Sequence, residues 1–262
     1  MTDNKIYAGI DVGTSTTKAV IIDGGKKLLG HSVRRSGTDL TSAAKAVFEE
    51  ALTRAEVTPD MVNAVVATGY GRKSVPFADD TKTEIGCHGR GCFHYFPEAI
   101  TVVDIGGQDN KTIKLDTQGL RIGFKMNRKC AAGTGAFLEE IAHKLDIPLE
   151  KLNTLAQAAS KTAQIGSYCT VFTATEVLDR IRAGERTDEI VRGLFASIAK
   201  RILEMDTLTD RVIMTGGVVA YNPIVAELLS AQTGTEVQTA PHPQEMGAFG
   251  AALYAGERKE SE

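Results

Sequence analysis

The pattern of apolar and polar positions at the start of the chain predicts three consecutive strands. Residues 6–12 are apolar except for Asp11, residues 13–17 are glycine and hydroxyl residues, and apolar side chains return over 19–22. A second turn at Gly24-Gly25 leads to Leu28-Leu29-Gly30-His31-Ser32-Val33, which is predicted to be a third strand. Short apolar runs bounded by glycine-rich turns are typical of buried strands.

The opening pattern returns about 90 residues later, which indicates an internal repeat. Val103-Asp104-Ile105-Gly106-Gly107 matches Gly9-Ile10-Asp11-Val12-Gly13, and in both segments a strand ends in aspartate, passes a glycine turn and returns as a strand. Two hairpins with a carboxylate at each strand end are expected to face one nucleotide from opposite sides. A single Asp-x-Gly turn can arise by chance, but a pair favours phosphate binding.

Helical periodicity predicts most of the remaining elements. Helices are predicted over 39–56, from about 137 to 145 with Pro148 beyond the end, over 149–159, 188–205 and 222–229, and in a closing segment over 246–255. Buried strands are predicted at 62–67 and 211–215, each running into a glycine turn, and a short strand at 236–237. Residues 165–172 are predicted to be extended, and Thr173 to Glu176 to form a capping box at a helix start.

The order of these elements predicts an α/β protein with two halves. Residues 1–99 form the first half, residues 100–244 the second, and the helix in 245–262 is expected to pack back on the first. The length is sufficient for one large domain or two small ones.

Composition excludes several classes of protein. The net charge is −3, 24% of the residues are charged and basic runs are absent, so nucleic acid is an unexpected partner. No apolar run reaches membrane-spanning length and the first residues pass directly into a strand pattern, which predicts a cytoplasmic protein without a membrane partner. Four cysteines in such a chain are expected to be free thiols, metal ligands or redox groups.

The glycine turns supply the candidate nucleotide-binding groups. Backbone amides and hydroxyls of the first turn can close around a phosphate, and Asp11 is placed to hold a hydrated Mg²⁺ opposite it. A Gly-Gly turn after the strand at 211–215 allows close approach to an adenine or its ribose. The candidate residues are Gly13, Thr14, Ser15, Thr16, Lys18, Gly106, Gly107, Gly216 and Gly217.

Two cysteines are placed just ahead of predicted helix starts. Cys130 precedes the small-residue segment Ala131-Ala132-Gly133-Thr134-Gly135, and Cys169 lies in a similar setting about 40 residues later. This arrangement suggests an anionic group held between helix N-termini. The alternative is a pair of buried, inert thiols, because free cysteine packs like a small hydrophobe.

The segment 86–94 contains the other two cysteines, Cys87 and Cys92, together with two histidines. Its spacing lacks the second ligand pair of common zinc patterns. A glycine-rich loop with reduced thiols is the favoured interpretation, and a metal site remains the lesser alternative.

The chain resembles a known superfamily in three motifs and one of its branches in three more. Gly9–Thr14, Val103–Asp109 and Met214–Val218 are similar to the phosphate-1, phosphate-2 and adenosine motifs shared by acetate kinase, sugar kinases, Hsp70 and actin. Three further segments resemble the ATP-dependent activators (component A) of 2-hydroxyacyl-CoA dehydratases, which are grouped with the ATPase subunits of benzoyl-CoA reductase. These segments are Ala67–Arg72, Met126–Gly135 and Cys169–Phe172.

The resemblance implies two ribonuclease H-like halves with ATP in the cleft between them, and a homodimer bridged by one [4Fe–4S] cluster. Each subunit would give two cysteines, and that role falls on Cys130 and Cys169; four thiolates are what such a cluster requires. Asp11 and Asp104 would organise Mg²⁺ and the attacking water, with Gln108 helping to position that water.

The resemblance also implies an ATP-driven one-electron donor. Reduced ferredoxin or flavodoxin would supply the electron, and an iron–sulfur acceptor, a dehydratase or a related double-cubane reductase, would receive it. Two other classes remain as alternatives. A small-molecule kinase of the same fold would not need Cys130 or Cys169, and a nucleotide sensor of the Hsp70 or actin type would need a binding appendage for which the chain is short.

Overall fold

A computed structural model describes residues 5–127, 130–166, 170–209 and 211–259. Its strands form two five-stranded sheets. The first sheet contains β1 (Ile6–Val12), β2 (Thr16–Asp23), β3 (Leu28–Arg35), β4 (Val62–Thr68) and β5 (Asp80–Thr81). The second contains β6 (Ile100–Ile105), β7 (Asn110–Leu115), β8 (Arg121–Asn127), β9 (Arg211–Thr215) and β10 (Val237–Thr239).

The two sheets have the same topology. The first is ordered β3-β2-β1-β4-β5 and the second β8-β7-β6-β9-β10, so each has its first strand at the centre. In both sheets the central strand is parallel to the next strand outward, β1 to β4 and β6 to β9. The internal repeat therefore extends from the aspartate motif to the whole strand order, and the predicted α/β class is confirmed.

Helices connect and cover the strands. They are α1 (Leu40–Ala55), α2 (Glu84–Tyr95), α3 (Gly135–Leu145), α4 (Leu152–Ala158), α5 (Thr170–Arg182), α6 (Thr187–Met205), α7 (Gly217–Tyr221), α8 (Ile224–Thr233) and α9 (Met246–Lys259). Helix α1 illustrates why they form where they do. The Asp39 side chain accepts a hydrogen bond from Ser42 N at the start of the helix, and Ala44, Val47 and Ala51 are buried at helical spacing.

The described chain divides into two compact units. Residues 5–98, 115–121 and 245–259 form one, and residues 99–114 and 122–244 the other. Each unit has its own apolar core. In the first, β1 and β2 pack on α1 through side chains such as Ile10, Ile21 and Val47, and α9 covers β1 and β4. In the second, α3, α6 and α8 bury Ile141, Ile198 and Leu229.

The glycine-rich segment 86–94 is helical, so the predicted loop is wrong. Helix α2 begins after Thr83, whose hydroxyl accepts a hydrogen bond from Gly86 N. The glycines serve helix–helix packing, because a Cβ at Gly91 would lie 2.6 Å from Met246 Sδ on α9. Tertiary contact therefore offsets the low helix propensity of glycine.

The start of α5 also differs from the prediction. The helix begins at Thr170, so residues 170–172 are helical rather than extended, and Thr173 is buried inside the helix. Glu176 does not close a capping box. Its two carboxylate oxygens accept a hydrogen bond from Gly166 N, each at 3.1 Å. The side chain that would cap a helix starting at Thr173 is thus bonded to Gly166 instead.

We expect Gly250→Ala to destabilise the first unit, because α2 and α9 approach closely there. A Cβ at Gly250 would lie 1.8 Å from Cys87 O and 2.6 Å from Cys87 C, both backbone atoms that cannot rotate away. A loss of about 3 kcal/mol in the free energy of unfolding is expected, measured by urea denaturation.

The matched control is Gly123→Ala, since a Cβ at Gly123 meets nothing within 4 Å. This change should alter stability by less than about 0.5 kcal/mol. Equal stability of the two variants would show that α2 and α9 are not in close contact.

Candidate functional site

Asp11 lies at the end of the central strand of the first sheet and is 2% exposed. Lys18 is its partner in the β1–β2 register, and Lys18 Nζ donates to Asp11 Oδ2 at 3.2 Å. Among the described residues, Asp11 Oδ1 is buried without a hydrogen-bond partner. A buried carboxylate oxygen with unused acceptor capacity suits a cation or a metal-bound water.

The turn between β1 and β2 presents polar groups outward. Gly13 N donates to Thr16 O at 3.1 Å, and Ser36 Oγ donates to Gly13 O at 2.7 Å, so the turn is held from both sides. Thr14 and Ser15 are exposed at its tip. The predicted tight turn is confirmed, and its hydroxyls are accessible to a ligand.

Asp104 occupies the equivalent place in the second sheet and is also 2% exposed. Lys111, on β7, is fully buried and its Nζ donates to Asp104 Oδ2 at 3.0 Å and to Asp109 Oδ1 at 2.7 Å. Gly106 N donates to Asp109 O at 2.9 Å and closes the turn. Gln108 is exposed on this turn, where its amide is available to a ligand.

Each aspartate also faces a Thr-Gly pair on the parallel neighbouring strand. Asp11 is in register with Thr68, and Asp104 with Thr215. The following glycines, Gly69 and Gly216, have positive φ, and a Cβ there would lie 2.4 and 2.6 Å from Oδ1 of the respective aspartate. Glycine is therefore required beside each carboxylate, both for the backbone conformation and for the space.

Lys111 and Asp109 were not among the predicted site residues. The signal that identifies Lys111 is present in the sequence, since Asp11 and Lys18 are separated by seven positions and so are Asp104 and Lys111. The first turn has no carboxylate at the position that corresponds to Asp109. The proximity of Asp109 to Lys111 follows from the closed turn at Gly106, which periodicity does not predict.

Cys130 precedes a tight turn and α3, as predicted. Its side chain is half-buried, and its backbone oxygen accepts a hydrogen bond from Asn127 Nδ2 at 3.4 Å. Thr134 N and Thr134 Oγ1 both donate to Ala131 O, at 3.0 and 2.6 Å, which closes the turn before α3. Cys169 lies outside the described residues. Cys87 and Cys92 are buried in α2.

The start of α3 is bonded directly to the turn that follows Asp104. Gly135 N donates to Gly106 O at 3.0 Å, and Ala136 N donates to Gly107 O at 2.8 Å. Within the second unit, the segment that carries Cys130 is therefore attached to the candidate phosphate turn.

The donor sets fit the groups that the sequence implies. Asp11 offers a buried unpaired carboxylate oxygen, the ligand chemistry of Mg²⁺. Cys130 offers a partly exposed sulfur, the ligand chemistry of an iron–sulfur cluster. Gly217 is the first residue of α7, after β9. Among the described residues, Gln244 Nε2 is the one atom that a Cβ at Gly217 would meet within 4 Å, at 3.6 Å, so the predicted adenosine turn has room for close approach.

Two mixed sheets of identical topology, each with a buried aspartate before a glycine turn, define a two-domain ATPase fold of the actin and Hsp70 class. The model of the BadF/BadG/BcrA/BcrD ATPase family matches residues 8–255. The chain belongs to this family.

Curated relatives and solved structures agree with this assignment. The chain is 41% identical over 252 residues to the activator of lactoyl-CoA dehydratase from Anaerotignum propionicum, covering 95% of this chain and 96% of that one. It superposes with a TM-score of 0.93 on (R)-2-hydroxyglutaryl-CoA dehydratase component A from Acidaminococcus fermentans, at 37% identity over 98% of this chain and 99% of that one. For the 2-hydroxyisocaproyl-CoA dehydratase activator from Clostridium difficile with bound ADPNP, the TM-score is 0.91 at 35% identity, over 98% and 96% of the two chains.

A glucokinase from Streptomyces griseus also shares the fold, at 14% identity with a TM-score of 0.57 over 96% of this chain and 99% of that one. That likeness concerns the fold alone. None of the helices in the described parts of the chain combines the length and apolar composition needed to cross a bilayer.

We expect Lys111→Met to destabilise the second unit, because it leaves Asp104 and Asp109 without the ammonium between them. Removing one member of a buried ion pair typically costs about 3–5 kcal/mol. Urea denaturation measures this loss. Lys144→Met is the control, since Lys144 forms an exposed pair with Glu140 at 3.3 Å, and it should cost less than about 1 kcal/mol. A similar loss in both variants would contradict the role given to Lys111.

The thiols should differ in reactivity. Burial raises the pKa of the Cys87 thiol to about 12, so its thiolate fraction at pH 8 is roughly 10⁻⁴. In chelator-treated protein carrying Cys169→Ser, we expect Ellman's reagent to modify Cys130 rapidly, and Cys87 and Cys92 only after unfolding. Adding Cys130→Ser should abolish the fast phase. A fast phase that survives this change would mean that α2 does not bury its thiols.

Proposed function

We propose that this protein hydrolyses ATP to deliver low-potential electrons, one at a time, through a [4Fe–4S] cluster to a 2-hydroxyacyl-CoA dehydratase or a related double-cubane iron–sulfur reductase. The observation that supports the proposal is the attachment of the Cys130 segment to the turn after Asp104, because it brings a segment with a thiol against the candidate phosphate turn within one unit. The relatives named as dehydratase activators, and a relative from Thauera aromatica named as part of a benzoyl-CoA reductase, support the acceptor class.

The nucleotide is assigned to the two aspartate hairpins and the Gly-Gly turn. Gly13 to Thr16 and Lys18 bind phosphate oxygens through amides, hydroxyls and an ammonium, and Gly106 and Gly107 do so on the second turn. Gly216 and Gly217 lie against the adenosine. Asp11 and Asp104 would hold the water shell of Mg²⁺ and orient the attacking water, and Gln108, which is exposed on the second turn, would help to position that water.

The cluster is assigned to Cys130 and Cys169 of each of two identical subunits. Four thiolates on a twofold axis complete the ligand set without another gene product. The bound cluster supplies one-electron redox chemistry, with reduced ferredoxin or flavodoxin as the donor. This chain's part would be to hold the ligands ahead of α3 and α5, whose N-terminal dipoles favour negative charge.

This proposal is favoured over a small-molecule kinase of the same superfamily. The activator relatives are 36–41% identical along nearly the whole chain, whereas the likeness to a glucokinase is limited to the fold. The reaction of a small-molecule kinase also does not require a partly exposed thiol next to the phosphate-2 turn.

Anaerobic purification tests the proposal. The wild-type dimer should contain about four iron and four sulfide, and should hydrolyse ATP without any phosphate acceptor other than water. We expect Cys130→Ser to lose the cluster, measured as iron, sulfide and visible absorption, and with it electron transfer to the dehydratase. The thiolate ligand is gone, and the hydroxyl that replaces it is a poor ligand for iron.

Cys92→Ala is the matched control, because Cys92 is a buried thiol on α2 outside the proposed ligand set, and it should retain full iron content. A wild-type protein without iron, or a Cys130→Ser variant with a full cluster, would refute the cluster assignment. Transfer of phosphate to a metabolite in place of water would instead support a kinase.

A further inference from the structure

Asn110 is a buried amide that the mechanism above does not use. It is the first residue of β7, directly after the turn that follows Asp104, and it is 2% exposed. Its Nδ2 donates to Gly133 O at 2.9 Å, and its Oδ1 is buried without a hydrogen-bond partner among the described residues. A half-satisfied buried amide costs free energy, so its position is not explained by stability alone.

The acceptor of this hydrogen bond lies between Cys130 and α3. Gly133 has φ +85°, and a Cβ there would lie 3.3 Å from Asn110 Nδ2 and 3.1 Å from Arg201 Cδ. The left-handed turn is therefore packed directly on Asn110 and on the hydrocarbon part of Arg201. A side chain at position 133 would be strained and would have little room.

Two backbone hydrogen bonds continue the same contact. They join Gly135 N to Gly106 O and Ala136 N to Gly107 O. A Cβ at Gly135 would lie 3.2 Å from Gly107 Cα, so the two backbones touch without side chains between them. The Cys130 turn thus rests on both ends of the phosphate-2 turn, at Gly106-Gly107 and at Asn110.

We propose that Asn110 is a positioning residue that couples the nucleotide to the cluster ligand Cys130. A shift of the phosphate-2 turn on nucleotide binding is passed to Gly133 through the buried amide and moves the backbone that carries Cys130. A packed, hydrogen-bonded contact of this kind moves as a unit rather than deforming gradually. The inference rests on the proposed function, because it needs both a nucleotide at this turn and a cluster at Cys130.

The test uses the full-length protein under anaerobic conditions and two measurements that do not depend on catalytic activity. The first is the EPR spectrum of the reduced cluster with and without saturating MgADP. The second is amide hydrogen exchange of residues 131–138 in the cluster-free protein, with and without MgADP. Asn110→Leu keeps the branched shape of the side chain but is larger, and it removes both the donor and the acceptor, whereas Asn110→Ser is a smaller variant that avoids the added volume. The control is Asn153→Leu. The Asn153 side chain accepts a hydrogen bond from Ile224 N at 3.2 Å and donates one to Gln157, so its partners belong to neither turn.

We expect MgADP to change both readouts in the wild type and in Asn153→Leu, and to leave both unchanged in nucleotide-bound Asn110→Leu and Asn110→Ser. A full nucleotide-dependent change in an Asn110 variant that binds MgADP would overturn the inference, and so would a wild type that does not respond to MgADP. Loss of the response in Asn153→Leu as well would also contradict a specific role for Asn110. A wild type without any cluster would defeat the proposed function, while the exchange experiment would still decide whether Asn110 links the two turns.

Discussion

Burial of two carboxylates at the strand ends is the constraint that shapes both units. Asp11 and Asp104 are almost completely buried, and a buried charge is tolerated only when it is paired and hydrogen-bonded. Lys18 and Lys111 supply the pairing from the adjacent strand, at the same spacing of seven residues. Gly69 and Gly216 leave the room that each carboxylate needs on its other side. The need to pair a buried carboxylate thus accounts for the lysine on the adjacent strand and for the glycine beside the aspartate in both units.

The two repeats have diverged around this shared arrangement. The first turn exposes Thr14 and Ser15, which suits direct contact with phosphate oxygens. The second turn is built more tightly, with Lys111 enclosed between two carboxylates and the start of α3 bonded to Gly106 and Gly107. The second turn is therefore joined to the segment that carries Cys130. Under the proposed function, this difference would give the second unit a physical link between the nucleotide and a redox ligand.

Contacts outside the local sequence pattern decide the structure of two segments. Segment 86–94 has poor helix propensity, yet it is helical because Gly91 lets α2 contact Met246 on a helix more than 150 residues away. Glu176 matches a capping box, yet its carboxylate accepts a hydrogen bond from Gly166 N, ten residues earlier in the chain. In both cases a contact outside the local pattern decides between alternatives of similar free energy.

The strand–turn–strand repeat, the aspartates at the strand ends and the helix after Cys130 follow from the sequence alone, because each depends on periodicity or turn chemistry within about ten residues. Three contacts emerge only in the folded protein: Lys111 lies between two carboxylates, Thr68-Gly69 and Thr215-Gly216 flank the aspartates, and the Cys130 turn packs on Asn110 and Gly106-Gly107. The physical reason is that strand register and backbone contact bring together groups whose separation along the chain carries no local signal.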